Sequence, residues 1–171
     1  LLFLFLEDTQ PEAMATLRKT YKANTEDTIV NFINNKILET SLIEVLKSEH
    51  LEISNTPIRL MYTKPATSIN KDLMALYEKN IFSVAEEIWA NDDERIDLVI
   101  FLNGFAIMSF ELKCNAAGQN YENAIKQYRL DRDPKSRLFL FKAGCIVNFA
   151  MDLEEVHMTT KLAGNSTFFL P

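Results

Sequence analysis

Glycine, cysteine and histidine are scarce in this chain: four Gly, two Cys and two His occur among 171 residues, with five Pro. So few glycines, and no segment of low complexity, exclude a Gly-rich linker or a disordered chain. They also leave no Gly-rich phosphate-binding loop. Cys114 and Cys145 form no C-x-x-C pair, which excludes a disulfide framework and a zinc ribbon. Two free thiols fit a reducing, cytoplasmic setting. No apolar run is long enough to span a membrane. The opening Leu1 to Leu6 is too short, lacks a basic leader, and reads as a buried strand or helix end. Basic residues are not in excess either: the formal charge is −6. That speaks against binding polyanions through net charge alone, although a sum conceals how charges are distributed.

What is present suits a folded domain. Hydrophobic residues make up 47% and charged residues 25%, so a chain of this length can bury a core without disulfides or a structural metal. One domain over residues 1–171 is expected. Thr9-Gln10-Pro11-Glu12 reads as a helix start, with Thr9 as cap and the helix running to about Lys22. Asn24 or Thr25 caps a second helix whose apolar face is Ile29, Val30, Ile33 and Ile37; Leu42 to Leu46 gives a third. A strand is expected over Ile58 to Thr63, a helix capped by Asn70, and a strand from Phe82 to Ile88. A helix from about Gln119 to Leu130 follows, with short strands at Leu138 to Phe141, Cys145 to Ala150 and Val156 to Thr160. Phe82, Trp89 and Phe110 read as core. The fold class is α/β, a sheet with helices on its flanks.

The clearest signal is a hairpin from Ile96 to Leu112 turning at Asn103-Gly104. Ile96, Leu98, Ile100 and Leu102 share one face of the first strand, and Ala106, Met108, Phe110 and Leu112 one face of the second. If both apolar sets face the core, even positions pair with even positions. A three-residue loop, Leu102-Asn103-Gly104 with a G1 bulge, satisfies this. Asp97 and Glu111 then become diagonal neighbours, with Lys113 beyond them. Two such carboxylates, with the Leu112 carbonyl, can hold a hard cation such as Mg²⁺, while Lys113 orients water or offsets charge on a phosphoryl group. The plainer reading is that D…E-x-K arises by chance and these are solvated edge residues. Glu86 or Glu87 can point toward the cluster or be solvated. Lys64 and Lys79 can contact phosphates or keep the surface soluble. His50 and His157 read as surface or core residues, since nothing near any Ser resembles a nucleophile elbow.

Arg95-Ile96-Asp97-Leu98-Val99-Ile100-Phe101-Leu102-Asn103-Gly104 and Phe110-Glu111-Leu112-Lys113 resemble the PD-(D/E)xK nuclease motif of type I restriction enzyme R subunits. Asp8-Thr9-Gln10-Pro11, Tyr62-Thr63-Lys64-Pro65-Ala66, Gln127-Tyr128-Arg129, Asp131-Arg132-Asp133-Pro134 and Met158-Thr159-Thr160-Lys161-Leu162 are similar to that family too, in the same order. The resemblance implies a restriction-endonuclease-like core with a central mixed β-sheet flanked by helices. It also implies a Mg²⁺-dependent endonuclease acting on unmodified double-stranded DNA in a prokaryotic cytoplasm. Asp97 and Glu111 would be metal ligands and Lys113 the catalytic lysine. The partners implied are modification (M) and specificity (S) subunits and an ATP-consuming motor domain of the same polypeptide, expected after Pro171. The family's Q-x-x-x-Y motif maps its Gln onto Gln127, while Asp131 stands where Tyr is usual; Tyr128 and Arg132 are the substitutes, Tyr128 reading better as core. An acidic residue of the family's first helix would lie before Leu1. Two alternatives carry different functions: a non-catalytic DNA-clamping or subunit-docking module that retains the fold, and an exonuclease or repair nuclease of the same fold.

Overall fold

Helical periodicity and cap chemistry set the first third of the chain. The computed structural model describes residues 1–67, 69–89 and 94–171. Helices α1 (Leu2–Thr9), α2 (Pro11–Tyr21), α3 (Thr25–Glu39) and α4 (Leu42–Lys47) follow one another. On α3, Ile29, Ile33 and Ile37 repeat every four residues and are all buried, as one apolar stripe should be. Thr9 does not cap α2. The apolar opening segment folds as α1, so Thr9 becomes its last residue and donates to the Phe5 carbonyl, while Gln10 precedes Pro11 at the next start. The Gln10 amide meanwhile bonds the backbone of Arg59 in both directions, at 2.7 and 2.9 Å.

The strand expected over Ile58 to Thr63 is displaced. A small hairpin pairs β1 (Leu51–Ile53) with β2 (Thr56–Ile58), and Ser54 and Asn55 turn it with positive φ. Beyond it, Tyr62 finds partners in a side chain instead of a strand. Its N–H donates to Asn80 Oδ1 at 3.1 Å and its carbonyl accepts from Asn80 Nδ2 at 2.7 Å. Helix α5 (Lys71–Glu78) starts where Asn70 accepts from the Leu73 N–H, as its cap position requires.

The remaining strands form one sheet in the order β3 (Phe82–Trp89), β4 (Arg95–Leu102), β5 (Phe105–Leu112), β6 (Val147–Met151), β7 (Val156–Thr159). β5 and β6 run parallel, with Glu111 opposite Ala150; β6 and β7 run antiparallel. The sheet is therefore mixed, and α6 (Tyr121–Leu130) packs on β6 and β7. This is the α/β architecture expected, compatible with a restriction-endonuclease-like core. Residues 138–141, expected as a strand, form turns instead: Phe139 and Leu140 both bond back to the Ser136 carbonyl. Phe82 and Trp89, read as core, are exposed on the edge strand β3.

Two compact units result. One comprises Leu1–Phe82 and Leu102–Phe105; the other comprises Ser83–Phe101 and Ala106–Pro171. The first is centred on Phe5, Leu6, Met14, Leu17, Ile29, Ile33, Ile58 and Leu60. The second is centred on Ile96, Val99, Ala124, Tyr128, Phe139, Cys145, Ala150, Leu162 and Phe169.

The β4–β5 turn corrects the three-residue loop. Only Asn103 and Gly104 separate the strands, with φ of 50° and 90°, the two positive values that a type I′ hairpin turn needs. The reason lies far away in sequence. Buried Asn103 accepts from the Ile81 N–H at 2.7 Å and donates to the Leu60 carbonyl at 2.7 Å and to Asn80 Oδ1 at 3.0 Å. Gly104 is required as well: a Cβ there would lie 3.1 Å from the Leu2 nitrogen. Asn103→Ala is expected to cost about 3 kcal/mol in urea unfolding, since it strands buried partners and removes a residue that tolerates positive φ. A loss below about 1 kcal/mol would show that water replaces these bonds.

Candidate active site

Ser109 and Glu111 are polar, yet both point inward. In β5 the buried positions are Ile107, Ser109 and Glu111, while Met108 and Phe110 are half-buried and Leu112 is exposed. This reverses the expectation that the even, wholly apolar set of β5 faces the core. The reversal is possible because the odd face finds hydrogen-bond partners under α6. Ser109 Oγ bonds Tyr128 Oη at 2.8 Å and donates to Asn148 Oδ1 at 2.7 Å. Tyr128 is fully buried between Phe139 and Phe169, as its reading as a core residue expects. Burial holds its phenol well above the usual range. On the other face Phe110 stacks on Phe149, its β6 neighbour, with ring centres 4.9 Å apart.

In β4 the buried positions are Ile96, Val99 and Leu102, which do not keep a period of two. A two-residue turn with an unbroken ladder would set Asp97 opposite Phe110. The two carboxylates meet at Lys113 all the same. Its Nζ lies 3.7 Å from Asp97 Oδ2 and 4.0 Å from Glu111 Oε2. Asp97 Oδ2 also accepts the Leu112 N–H at 2.8 Å, which holds it against β5. Lys113 is itself fixed by its N–H, which donates to the Met151 carbonyl of β6.

Glu111 is the most constrained member. Its side chain is fully buried, and Arg132 Nη2 and Nε lie 2.6 and 2.8 Å from Oε1. The other oxygen, Oε2, is buried and makes no hydrogen bond among the described residues. Burial is the strongest influence on its carboxyl, ahead of Arg132, and pushes its pKa up to about 7; nearby Asp97 adds to the rise. A carboxylate left this way favours an added positive charge. Asp97 and Glu111, with the Leu112 carbonyl, are the oxygen donors here that could hold a hard divalent cation such as Mg²⁺. Among the described residues no group of three or more His, Cys, Asp or Glu side chains stands ready for a metal.

Of the residues singled out in the sequence, Asp97, Glu111 and Lys113 come together, and Leu112 joins them through its backbone. Gln127 is half-buried on α6, and among the described residues no hydrogen bond links it to the three. Glu87 turns to Arg95, 3.4 Å away. Lys79 is bound to Asp8 at 3.1 Å. Arg132, which the sequence offers only as a stand-in for a tyrosine, is the direct partner of Glu111. Its signal in the sequence is faint: an Arg just past a helix end is ordinary on a surface, and only the long-range pairing gives it meaning.

Among the described residues no helix is long and apolar enough to cross a membrane. No curated protein and no solved structure matches the chain. One family does, the type I restriction enzyme R protein N terminus, over residues 6–167. With a match of that extent joined to a mixed α/β sheet bearing D…E-x-K at one end, the chain belongs to the family of type I restriction enzyme R protein N-terminal domains.

Proposed function

We propose that residues 1–171 form the Mg²⁺-dependent endonuclease domain of a type I restriction enzyme R subunit. It would hydrolyse phosphodiester bonds of unmodified double-stranded DNA inside an ATP-dependent translocating complex. M and S subunits and a motor domain of the same polypeptide are the partners this reading requires, in a prokaryotic cytoplasm. The observation that carries it is the approach of two carboxylates to one ammonium, with Glu111 Oε2 buried and, among the described residues, without a hydrogen bond.

In this reading Asp97 and Glu111 would hold Mg²⁺, which would supply polarisation of the phosphoryl oxygen and a more acidic water. Their carboxylates, on adjacent strands, would fix the place of that charge. Lys113 orients the attacking water and offsets the negative charge that builds on the phosphoryl oxygens. The water oxygen bonds to phosphorus as one ester P–O bond breaks, leaving a phosphate monoester and a free hydroxyl. Gln127 is assigned to substrate or water contact on the strength of its motif position.

A second reading keeps the fold without the chemistry, as a DNA-clamping or subunit-docking module. It draws on Arg132, which already gives Glu111 a positive partner. Titration of the chain with Mn²⁺ separates the two. Saturable binding at neutral pH, lost in Asp97→Ala, is expected for an active centre. Equal binding by wild type and Asp97→Ala would leave the clamp as the better account.

A further inference from the structure

Arg132 follows the end of α6, a place where arginines are usually solvated, yet its side chain is almost wholly buried. A buried guanidinium is costly unless its donors are used. Nε and Nη2 both reach Glu111 Oε1, and Nη2 also donates to the Arg95 carbonyl at 2.9 Å. Arg95 begins β4, two residues before Asp97, while Glu111 lies near the end of β5. One planar group therefore bridges the two strands that carry the two carboxylates. The next residue tightens the same junction: the Asp133 N–H donates to Glu94 Oε1 at 2.7 Å, just before β4. Asp131 continues the α6 ladder through its N–H to the Gln127 carbonyl, so the clamp is fixed at the helix side as well.

The arrangement divides the two oxygens of Glu111. Oε1 is taken by Arg132, and Oε2 is left on the side of Lys113. A fork with several donors in one plane fixes carboxylate orientation in a way that a single ammonium cannot. We propose that Arg132 is a positioning residue for the Asp97–Glu111 pair. It occupies Glu111 Oε1, presents Oε2 to a divalent cation, and ties β4 to β5 where that cation would sit. This rests on the nuclease reading above, and it adds a residue outside the D…E-x-K pattern on which cation affinity depends.

The test is Mn²⁺ titration of the full chain, wild type against Arg132→Lys, Arg132→Gln and Glu111→Gln, with thermal unfolding of each. Arg132→Lys keeps a positive charge but loses the fork. It is expected to weaken Mn²⁺ binding by about 10- to 100-fold, the usual effect of losing a partner that orients a metal ligand. Arg132→Gln should weaken it at least as much. A purely structural arginine would instead lower the unfolding temperature and leave the Mn²⁺ affinity of the folded protein unchanged. That result in Arg132→Lys, with wild type binding and Glu111→Gln not binding, overturns the positioning role and leaves the nuclease reading standing. Absence of Mn²⁺ binding by wild type, or undiminished binding by Glu111→Gln, overturns both. Should Arg132→Gln not fold, Arg132→Lys alone decides.

Discussion

Asp97→Ala and Glu111→Gln are each expected to lower double-stranded DNA cleavage by the assembled restriction enzyme on the order of 10³-fold or more, with ATP hydrolysis at the wild-type rate. A divalent cation held here, as proposed, would supply several kcal/mol of charge stabilisation, and about 1.4 kcal/mol is a factor of ten in rate. Losing one of its two proposed carboxylate ligands would remove most of that. Asp97→Ala is the gentler change for the fold, because this side chain is partly exposed and gives up one hydrogen bond from the Leu112 N–H. For Glu111 the glutamine is the better choice, since it keeps a carbonyl for Arg132 in the buried slot where alanine would strand the guanidinium. Lys113→Ala should cost about 10²- to 10³-fold, the usual loss when one charge-stabilising donor is removed. The measurement is linearisation of a plasmid bearing the recognition site, run beside an ATPase assay. ATP hydrolysis separates the effects, because a general folding defect would depress both. Cleavage at the wild-type rate by all three variants would end the catalytic reading.

Local chemistry makes much of this architecture readable, and long-range chemistry hides the rest. Ile29, Ile33 and Ile37 announce α3 by spacing alone, and Asn70 announces the start of α5 by its side-chain oxygen. The limits of β4 and β5 follow from two apolar runs around Asn103-Gly104. The form of that turn does not, because Asn103 is held by Leu60, Asn80 and Ile81, and no local rule foresees those bonds. The burial of β5 escapes its own sequence for a related reason. Apolar content marks Met108 and Phe110 as core, but hydrogen bonds of Ser109 with Tyr128 and Asn148, and of Glu111 with Arg132, allow Ser109 and Glu111 to lie deeper. Matching the apolar faces also gathers Asp97, Glu111 and Lys113, but through a turn that the chain does not make. Their convergence in space rests on the observed distances alone. The three-residue strands β1 and β2 are too short for periodicity to reveal.

Without divalent cations, the stability of the chain is expected to fall by about 3 kcal/mol between roughly pH 4.5 and 7, on account of Glu111. Its carboxyl is raised from 4.5 to about 7 chiefly by burial, so the folded chain holds a proton there that the unfolded chain releases. Stability then declines with rising pH, because the folded state binds more protons; a tenfold difference in proton affinity between the two states corresponds to about 1.4 kcal/mol. The contribution is complete below the unfolded value and is gone once pH passes the folded one. Asp152 acts in a separate window and with the opposite sign. Backbone N–H groups of Glu154 and Glu155 hold its carboxyl below the usual range, so its contribution is lost only on acidification below about pH 4. Cys145 is pushed up to about 12 by burial and titrates far above both windows. The check is urea unfolding at pH 5 and pH 8 for wild type and Glu111→Gln. The wild type should lose stability over this interval and the glutamine variant should not, whatever its lower starting value. Mn²⁺ at pH 8 should recover much of the loss in wild type alone, because a cation that binds the ionised carboxylate stabilises only the folded chain. Parallel pH curves for the two proteins would mean that Arg132 already offsets the Glu111 charge in full, removing the electrostatic case for a cation at Oε2.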